Sequence, residues 1–313
     1  MADSIDKLIG IYHFISDRAP KNIPTVRPRP RAVNRWCQNG QPIVSKATPV
    51  EDIKRSIERA ISLLGNLEQA ISSGDSVFVK PNFNSWDPYP GSTDLAFLSC
   101  VVELLLEAGA KVVIGDCSGG IWRPTGKVFQ KLGVFELARR LNVELIAFED
   151  RPDDWVRVEI NGDYLQVVTM PRSAYEADEL IYLPCLKTHR QARFTGALKL
   201  AVGFMHPGER RGLHAHNLEQ KIAEISLCWQ PDLIITDGRK AFVTGGPDKG
   251  ELVEPKVILT SGDLIASDVE AMKILLTYNA RNNLGLDPWE SPQIITALKH
   301  HLGSGKNNYV VTE

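Results

Sequence analysis

The chain has almost no net charge. Its 36 Lys and Arg stand against 38 Asp and Glu, giving −2 over 313 residues. No global positive field is left to draw nucleic acid or an anionic membrane surface, and neither is an expected partner. Long apolar runs are missing too, since none approaches the roughly 20 residues needed to span a bilayer. The opening "MADSIDKLIGIYHFISDRAPKN" lacks the basic start and apolar core of a secretory signal, so a cytoplasmic protein is expected. Cysteine is scarce and scattered: Cys37, Cys100, Cys117, Cys185 and Cys228 make no CxxC pair and no ferredoxin-like spacing. Neither a structural zinc site nor an Fe–S cluster is expected in this chain. Internal repeats and low-complexity tracts are also missing.

What is present is a strand–helix alternation. Hydrophobic residues make up 43% of the chain, enough for a large core. Strands are expected at "PIVSK", "SVFVK" (76–80), "KVVIGD" (111–116), "VELIAFE" (143–149), "ELIYLPCLK" (179–187), "DLIITD" (232–237) and "KVILTS". Between them, helices are expected after a Thr48-Pro49-x-Glu51 capping box, after Ser92 or Thr93, over 125–141, 217–229 and 264–278, and near 290–301. "WVRVEINGDYLQVVTM" reads as a hairpin turning at Asn161-Gly162. The pattern predicts an α/β fold, a mostly parallel sheet with helices on both faces. Residues 1–40, with Pro24, Pro28, Pro30, Arg27, Arg29, Arg31 and Arg35, read as an extended arm, packed on its own domain or on a second copy as a homo-oligomer contact. Residues 41–215 and 216–313 are expected as two lobes with the site in the cleft between them.

In open α/β sheets ligands bind beyond the carboxyl ends of the strands. Four such ends carry unusual residues here: Lys80 and Asn82 in "VKPNFN"; Asp116, Cys117, Ser118 and Gly119 in "GDCSGG"; Cys185, Lys187 and His189 in "PCLKTH"; Asp237 and Arg239 in "TDGRKAF". Ser118-Gly119 offers backbone N–H groups to an anion, but matches neither GxGxxG nor the P-loop. Taken singly, Asp116 and Asp237 read as turn residues.

Residues 186–217 concentrate the rest. Arg193 follows His189, and Thr195-Gly196 opens an apolar helix-like run containing Lys199, a helix start that would favour an anion. A lysine among Ala197, Leu198, Leu200, Ala201 and Val202 is either snorkelling or desolvated into a nucleophile. His206, His214 and His216 follow, leaving metal ligation, acid–base work and substrate hydrogen bonding open. Asp263 and Asp268 bracket a helix start, where capping is the expected role.

As an ordered set, "VFVKPNFN", "EAGAKVVIGDCSGG", "EADELIYLPCLKTH", "FTGALKLAVGF", "DLIITDGRKAFVTGGPDKG" and "SGDLIASDVEAMKIL" resemble the DUF362 family over about residues 41–280. That family is largely of unknown function, and many members add a ferredoxin module for which this chain has no cysteines. More distantly, "PCLKTHRQARFTGALKLAVGF" resembles the nickel-pincer lactate racemases and their DUF2088 relatives. That resemblance implies a covalently held nickel-pincer-type cofactor anchored on Lys199, with His189 as ligand or proton carrier. The chain departs from it where TGALK replaces a double-glycine turn and GDCSGG replaces a GTH-like loop.

Three functions follow as expectations. In the first, an enzyme acts on a small carboxylate- or hydroxyl-bearing molecule. Its catalytic set is His189, Lys199, His214 and His216; Lys80, Asn82, Ser118, Gly119, Lys187, Arg193, Thr195, Gly196 and Arg239 bind the substrate or its anion. The others are a cofactor- or metal-binding accessory protein (His189, His214 and His216 as candidate ligands) and a non-catalytic small-molecule binder.

Overall fold

The computed structural model describes residues 19–119 and 123–313. Gly120 and the first 18 residues of the expected arm lie outside them. The main sheet runs, in spatial order, Val310–Thr312, Gln41–Ala47, Val257–Ser261, Leu233–Phe242, Glu179–Tyr182, Ser76–Lys80, Lys111–Asp116, Glu144–Ala147. The five strands from Leu233–Phe242 to Glu144–Ala147 are mutually parallel, and Val257–Ser261 runs against both its neighbours. The expected α/β class therefore holds.

Side chains that alternate along each strand build two cores. Val77 and Val79 pack with Ile57, Phe97 and Val101, from helices Ile53–Ser62 and Leu95–Glu107. Phe78 points the other way, into a core shared with helices Leu218–Ile225 and Leu264–Leu276. Helices thus cover both faces, and near-continuous apolar strands follow from burial on both sides. Because Leu233–Phe242 sits between Glu179–Tyr182 and Val257–Ser261, the expected boundary at 215/216 does not divide the sheet. The cavity described below opens at one end of this continuous sheet.

Several local expectations change for physical reasons. The capping box at Thr48 does not form. Asp52 caps Ile53–Ser62 by accepting from Arg55 N at 3.1 Å, and Asp94 caps Leu95–Glu107 through Ala96 N at 2.7 Å and Phe97 N at 3.1 Å. The helix expected over 125–141 divides at Gly133, whose φ of 83° ends Thr125–Leu132 before Val134–Leu141 begins. The strand expected at 179–187 breaks at Leu183-Pro184, and Cys185–His189 continues as a separate strand beside the far half of Leu233–Phe242. The hairpin Trp155–Glu159/Val167–Pro171 forms as expected.

From residue 19 onward the arm lies on its own chain. Thr25–Val26 pairs with the hairpin strand Trp155–Glu159, and Arg29 bonds to the carbonyls of Tyr175 and Ala177 while covering the Trp229 ring. Trp36 is buried and donates its indole N–H to Asp232 O at 2.9 Å. Trp36→Phe keeps most of the packing and leaves that carbonyl without its donor. Denaturant unfolding should show a loss of about 1–1.5 kcal/mol; no change would mean the indole bond does not hold the arm. Among the described residues no helix is long and apolar enough to cross a membrane.

Candidate functional site

The parallel strands deliver their carboxyl ends to a cavity of about 790 Å³. Lys80 and Asp116 reach it from adjacent strands, Lys187 and His189 from Cys185–His189, and Glu149 from beyond the edge strand. Lys199, Leu200, Val202 and Arg210 form the opposing wall, and the loop carrying Pro247 and Asp248 closes one side.

Lys80 and Asp116 make a buried pair at 2.5 Å. Asp116 also accepts from Phe83 N and Cys117 N, each at 2.7 Å, while Lys80 donates to Pro81 O at 2.8 Å. Burial pulls the Lys80 pKa down, opposed by Asp116. Gly203 leaves the room, because a Cβ there would lie 2.5 Å from Lys80 Nζ and 2.7 Å from Asp116 Oδ1. This pair is satisfied internally and sets the floor of the cavity.

Lys199 is different. Its ammonium makes no hydrogen bond or ion pair with any described residue, and it lines the cavity. Burial, then the nearby charges of Lys187 and Arg210, bring its pKa down to about 7, with Asp248 opposing. Lys187 is fully buried and donates to Gly91 O at 2.6 Å; burial lowers its pKa as well. Arg210 holds its guanidinium on four carbonyls: Met205 O at 2.9 Å, Cys117 O at 3.1 Å, Ser118 O and Gly203 O at 3.0 Å. No carboxylate answers it directly. Asp248 is shared between Arg123 at 2.7 Å and Asn84 Nδ2 at 3.1 Å.

His189 Nδ1 accepts backbone N–H bonds from Gln191 at 3.1 Å and Ala192 at 3.0 Å. Its hydrogen therefore sits on Nε2. Burial first, then Lys199, Lys187 and His214, drive its pKa down to about 2, so the ring is neutral at physiological pH. Thr195 Oγ1 and Asn82 Nδ2 are buried polar atoms without a hydrogen-bond partner, and both residues line the cavity. The Asn82 side chain stands beside the Cys185 thiol, and its backbone N–H donates to Thr93 Oγ1 at 2.8 Å.

Of the candidate residues read from the sequence, the cavity gathers Lys80, Asn82, Asp116, Cys117, Ser118, Gly119, Lys187, His189, Thr195, Lys199 and His214. Others fall elsewhere. Arg239 is clamped on Asp237 at 2.7 Å, Asp237 also accepts from Tyr89 at 2.7 Å, and neither lines the cavity. Arg193 turns towards Glu219 at 3.4 Å. His206 is buried against Trp155, with ring centroids 4.6 Å apart, and its Nδ1 accepts from Gly208 N; burial lowers its pKa to about 4. Cys185 is buried behind the wall, and burial moves its thiol up to about 11. His216 is exposed outside the cavity, and His214 bonds through Nδ1 to Arg210 O at 3.0 Å.

Both expected backbone anion cradles are already used. Ser118 N donates to Thr125 Oγ1 and Gly119 N to Asn84 O. At the start of Ala197–Leu200, Asp268 accepts from Ala197 N at 2.6 Å and Leu198 N at 3.0 Å. Gly196 permits that approach, since a Cβ there would lie 2.2 Å from Asp268 Oδ1. Asp263 caps its own helix, as expected, through Ala266 N at 2.9 Å. Asp268 instead caps a helix seventy residues away in sequence, which local reading could not find. Arg210, Glu149 and Asp248 were missed for the same reason, because nothing near them in sequence distinguishes them.

Among the described residues His189, His214 and His216 do not form a group of three metal-ligating side chains. Among the described residues, three ligand-bearing side chains come within 4.8 Å of one another at Asp163, Glu224 and His300. Glu224 there accepts backbone N–H bonds from Asp163, Tyr164 and Leu165, which ties the hairpin turn to helix Leu218–Ile225.

Fold and site together define an α/β protein with a cation-rich cavity at the carboxyl ends of a mostly parallel sheet. Residues 77–273, more than half of the chain, match the Domain of unknown function (DUF362), and the chain belongs to that family. It is 28% identical over 250 residues to the thylakoid-associated protein sll1697 of Synechocystis sp. (strain ATCC 27184 / PCC 6803 / Kazusa), covering 74% of this chain and 75% of that one. The lactate racemase apoprotein from Thermoanaerobacterium thermosaccharolyticum aligns over 80% of this chain and 60% of its own, less than two thirds of its length. The TM-score is 0.41 at 13% identity.

Proposed function

We propose that the cavity is the active site of an enzyme acting on a small carboxylate- or hydroxyl-bearing metabolite, with Lys199 as its base or nucleophile. The observation that carries this reading is an unpartnered, cavity-facing amine whose pKa is held at about 7. Near neutral pH such an amine is close to half deprotonated. It can take a proton from a carbon beside a carboxylate and return it, as racemase-like chemistry requires, or attack a carbonyl.

His189 then serves as a hydrogen-bond donor rather than a proton carrier. Its Nε2–H can polarise a substrate oxygen without the ring ever becoming charged. The same tautomer bears on a nickel-pincer-type cofactor. Lys199 suits the covalent anchor, but His189 in this arrangement offers no Nε2 lone pair to a metal, so the donor set fits that cofactor at the amine alone.

The reading is tested by trace acetylation of the full chain from pH 5 to 11, read by peptide mass spectrometry. Lys199 should half-titrate near pH 7, against about 10.4 for an ordinary lysine. Lys199→Ala should abolish turnover of any substrate found among 2-hydroxy and 2-oxo acids. Titration of Lys199 above pH 9, or turnover that survives its loss, would overturn the assignment.

A further inference from the structure

We infer that the ligand of this cavity carries two negative charges on one head, as a dicarboxylate or a phosphate monoester does, rather than the single charge of a lactate-type acid. The inference rests on the proposed reading of the cavity as a ligand site, and it names what that site selects.

The argument is one of charge pairing. Lys80 is answered by Asp116 and Arg123 by Asp248. Around the Lys199 amine this leaves Lys187, on which Asp248 and Asp87 act from a distance, and Arg210; among the described residues neither makes an ion pair with a carboxylate. Asp248, the one acidic group acting on both lysines, is already divided between Arg123 and Asn84. The remaining lining carboxylates, Glu149 and Asp150, lie beyond the edge strand Glu144–Ala147. Glu149 stands beside the Cys117 thiol, and neither Glu149 nor Asp150 is among the charges acting on Lys187 or Lys199.

The free hydrogen-bond donors converge on the same end. Lys199 has its full ammonium to offer, Thr195 a partnerless buried hydroxyl, and His189 its Nε2–H. Both expected backbone cradles are spent, so side-chain cations remain to bind the head. Arg210, spread over four carbonyls, contributes mainly as a fixed positive field. A monoanion would leave part of that field unanswered, whereas a dianion meets it.

A dianion beside Lys199 also raises that amine's pKa, so binding at pH 8 takes up a proton. Titration calorimetry of the full chain at pH 8, in two buffers of different ionisation enthalpy, reads both quantities. Malonate, succinate and inorganic phosphate are the probes, with acetate and lactate as monoanion controls. At least one dianion should bind tenfold or more tighter than either control, with net proton uptake. A preference for phosphate points to a phosphate monoester, and one for malonate or succinate to a dicarboxylate. Lys199→Met should remove the uptake, and Thr195→Val, which leaves the charges alone, should weaken the dianion by severalfold. Equal affinity for both charge classes would overturn the inference even if Lys199 titrates near pH 7. A dianion preference with an ordinary Lys199 titration would instead overturn the reading of Lys199 and leave this one standing.

Discussion

Lys199→Met is expected to make the protein more stable while removing the amine on which the proposed chemistry depends. A lysine in the unfolded chain titrates near 10.5 and Lys199 in the fold at about 7. The folded chain therefore binds fewer protons than the unfolded one between these values, and stability rises with pH across that window. Below about pH 7 the full cost of the unpaired ammonium is present; above about 10.5 it is gone. Multiplying the shift by 1.36 kcal/mol per unit gives an upper bound near 5 kcal/mol. Lys199 has partial exposure to the water of the cavity, which lowers the figure to about 2–4 kcal/mol. Urea unfolding at pH 6.5 should show that gain, and at pH 10.5 most of it should vanish. Lys80→Met supplies the contrast, because it strands the buried Asp116 carboxylate and should cost about 3–5 kcal/mol. Two buried lysines in one cavity thus answer the same substitution with opposite signs. A loss of stability in Lys199→Met would show that the amine has a structural partner. The variant should also lift the His189 pKa, since Lys199 is the largest charge holding it down.

The sheet was legible because its strands are buried on both faces, and runs such as Ser76–Lys80 and Lys111–Asp116 have little other use. Asp116, Lys187, His189 and Lys199 were legible as a group because parallel strands bring their carboxyl ends together. Helix starts were read too early, since Thr48 and Ser92 look like caps until Asp52 and Asp94 compete a few residues on. From sequence Arg239 reads as an anion binder, although its neutralising partner, Asp237, lies two residues away. That pairing depends on how the end of Leu233–Phe242 turns, which composition does not reveal. Arg210 was out of reach in another way. Its guanidinium is held by four carbonyls, two of which, on Cys117 and Ser118, lie more than ninety residues away in sequence.

Asp268 connects the fold to the site, and replacing it should cost both stability and the placement of Lys199. The helix that carries Lys199 spans four residues, Ala197–Leu200, too short to stand without help from outside. Asp268 reaches from helix Leu264–Leu276 to accept its first two N–H groups. In Asp268→Ala those donors are buried without partners, a loss of about 2–5 kcal/mol for the pair. Lys199 should then move with its loosened turn, so ligand binding fails at temperatures where the sheet is still folded. Asp268→Asn keeps one oxygen for one N–H and should lose about half as much. The pH dependence separates two contributions to the Asp268 carboxyl. Burial lifts its pKa to about 7 against the opposing pull of the two N–H bonds, above the 3.8 of a free carboxyl. The folded chain then binds more protons than the unfolded one between pH 4 and 7, and the parent loses stability as pH rises through that range. The asparagine variant has no such titration. Its deficit against the parent should therefore be largest near pH 4, shrink as pH rises to 7 and stay small above it, measured by denaturant unfolding at pH 5 and pH 8. A deficit that grew with pH would mean that the two N–H bonds outweigh burial, and that Asp268 stands beneath the helix Ala197–Leu200 as a permanent anion.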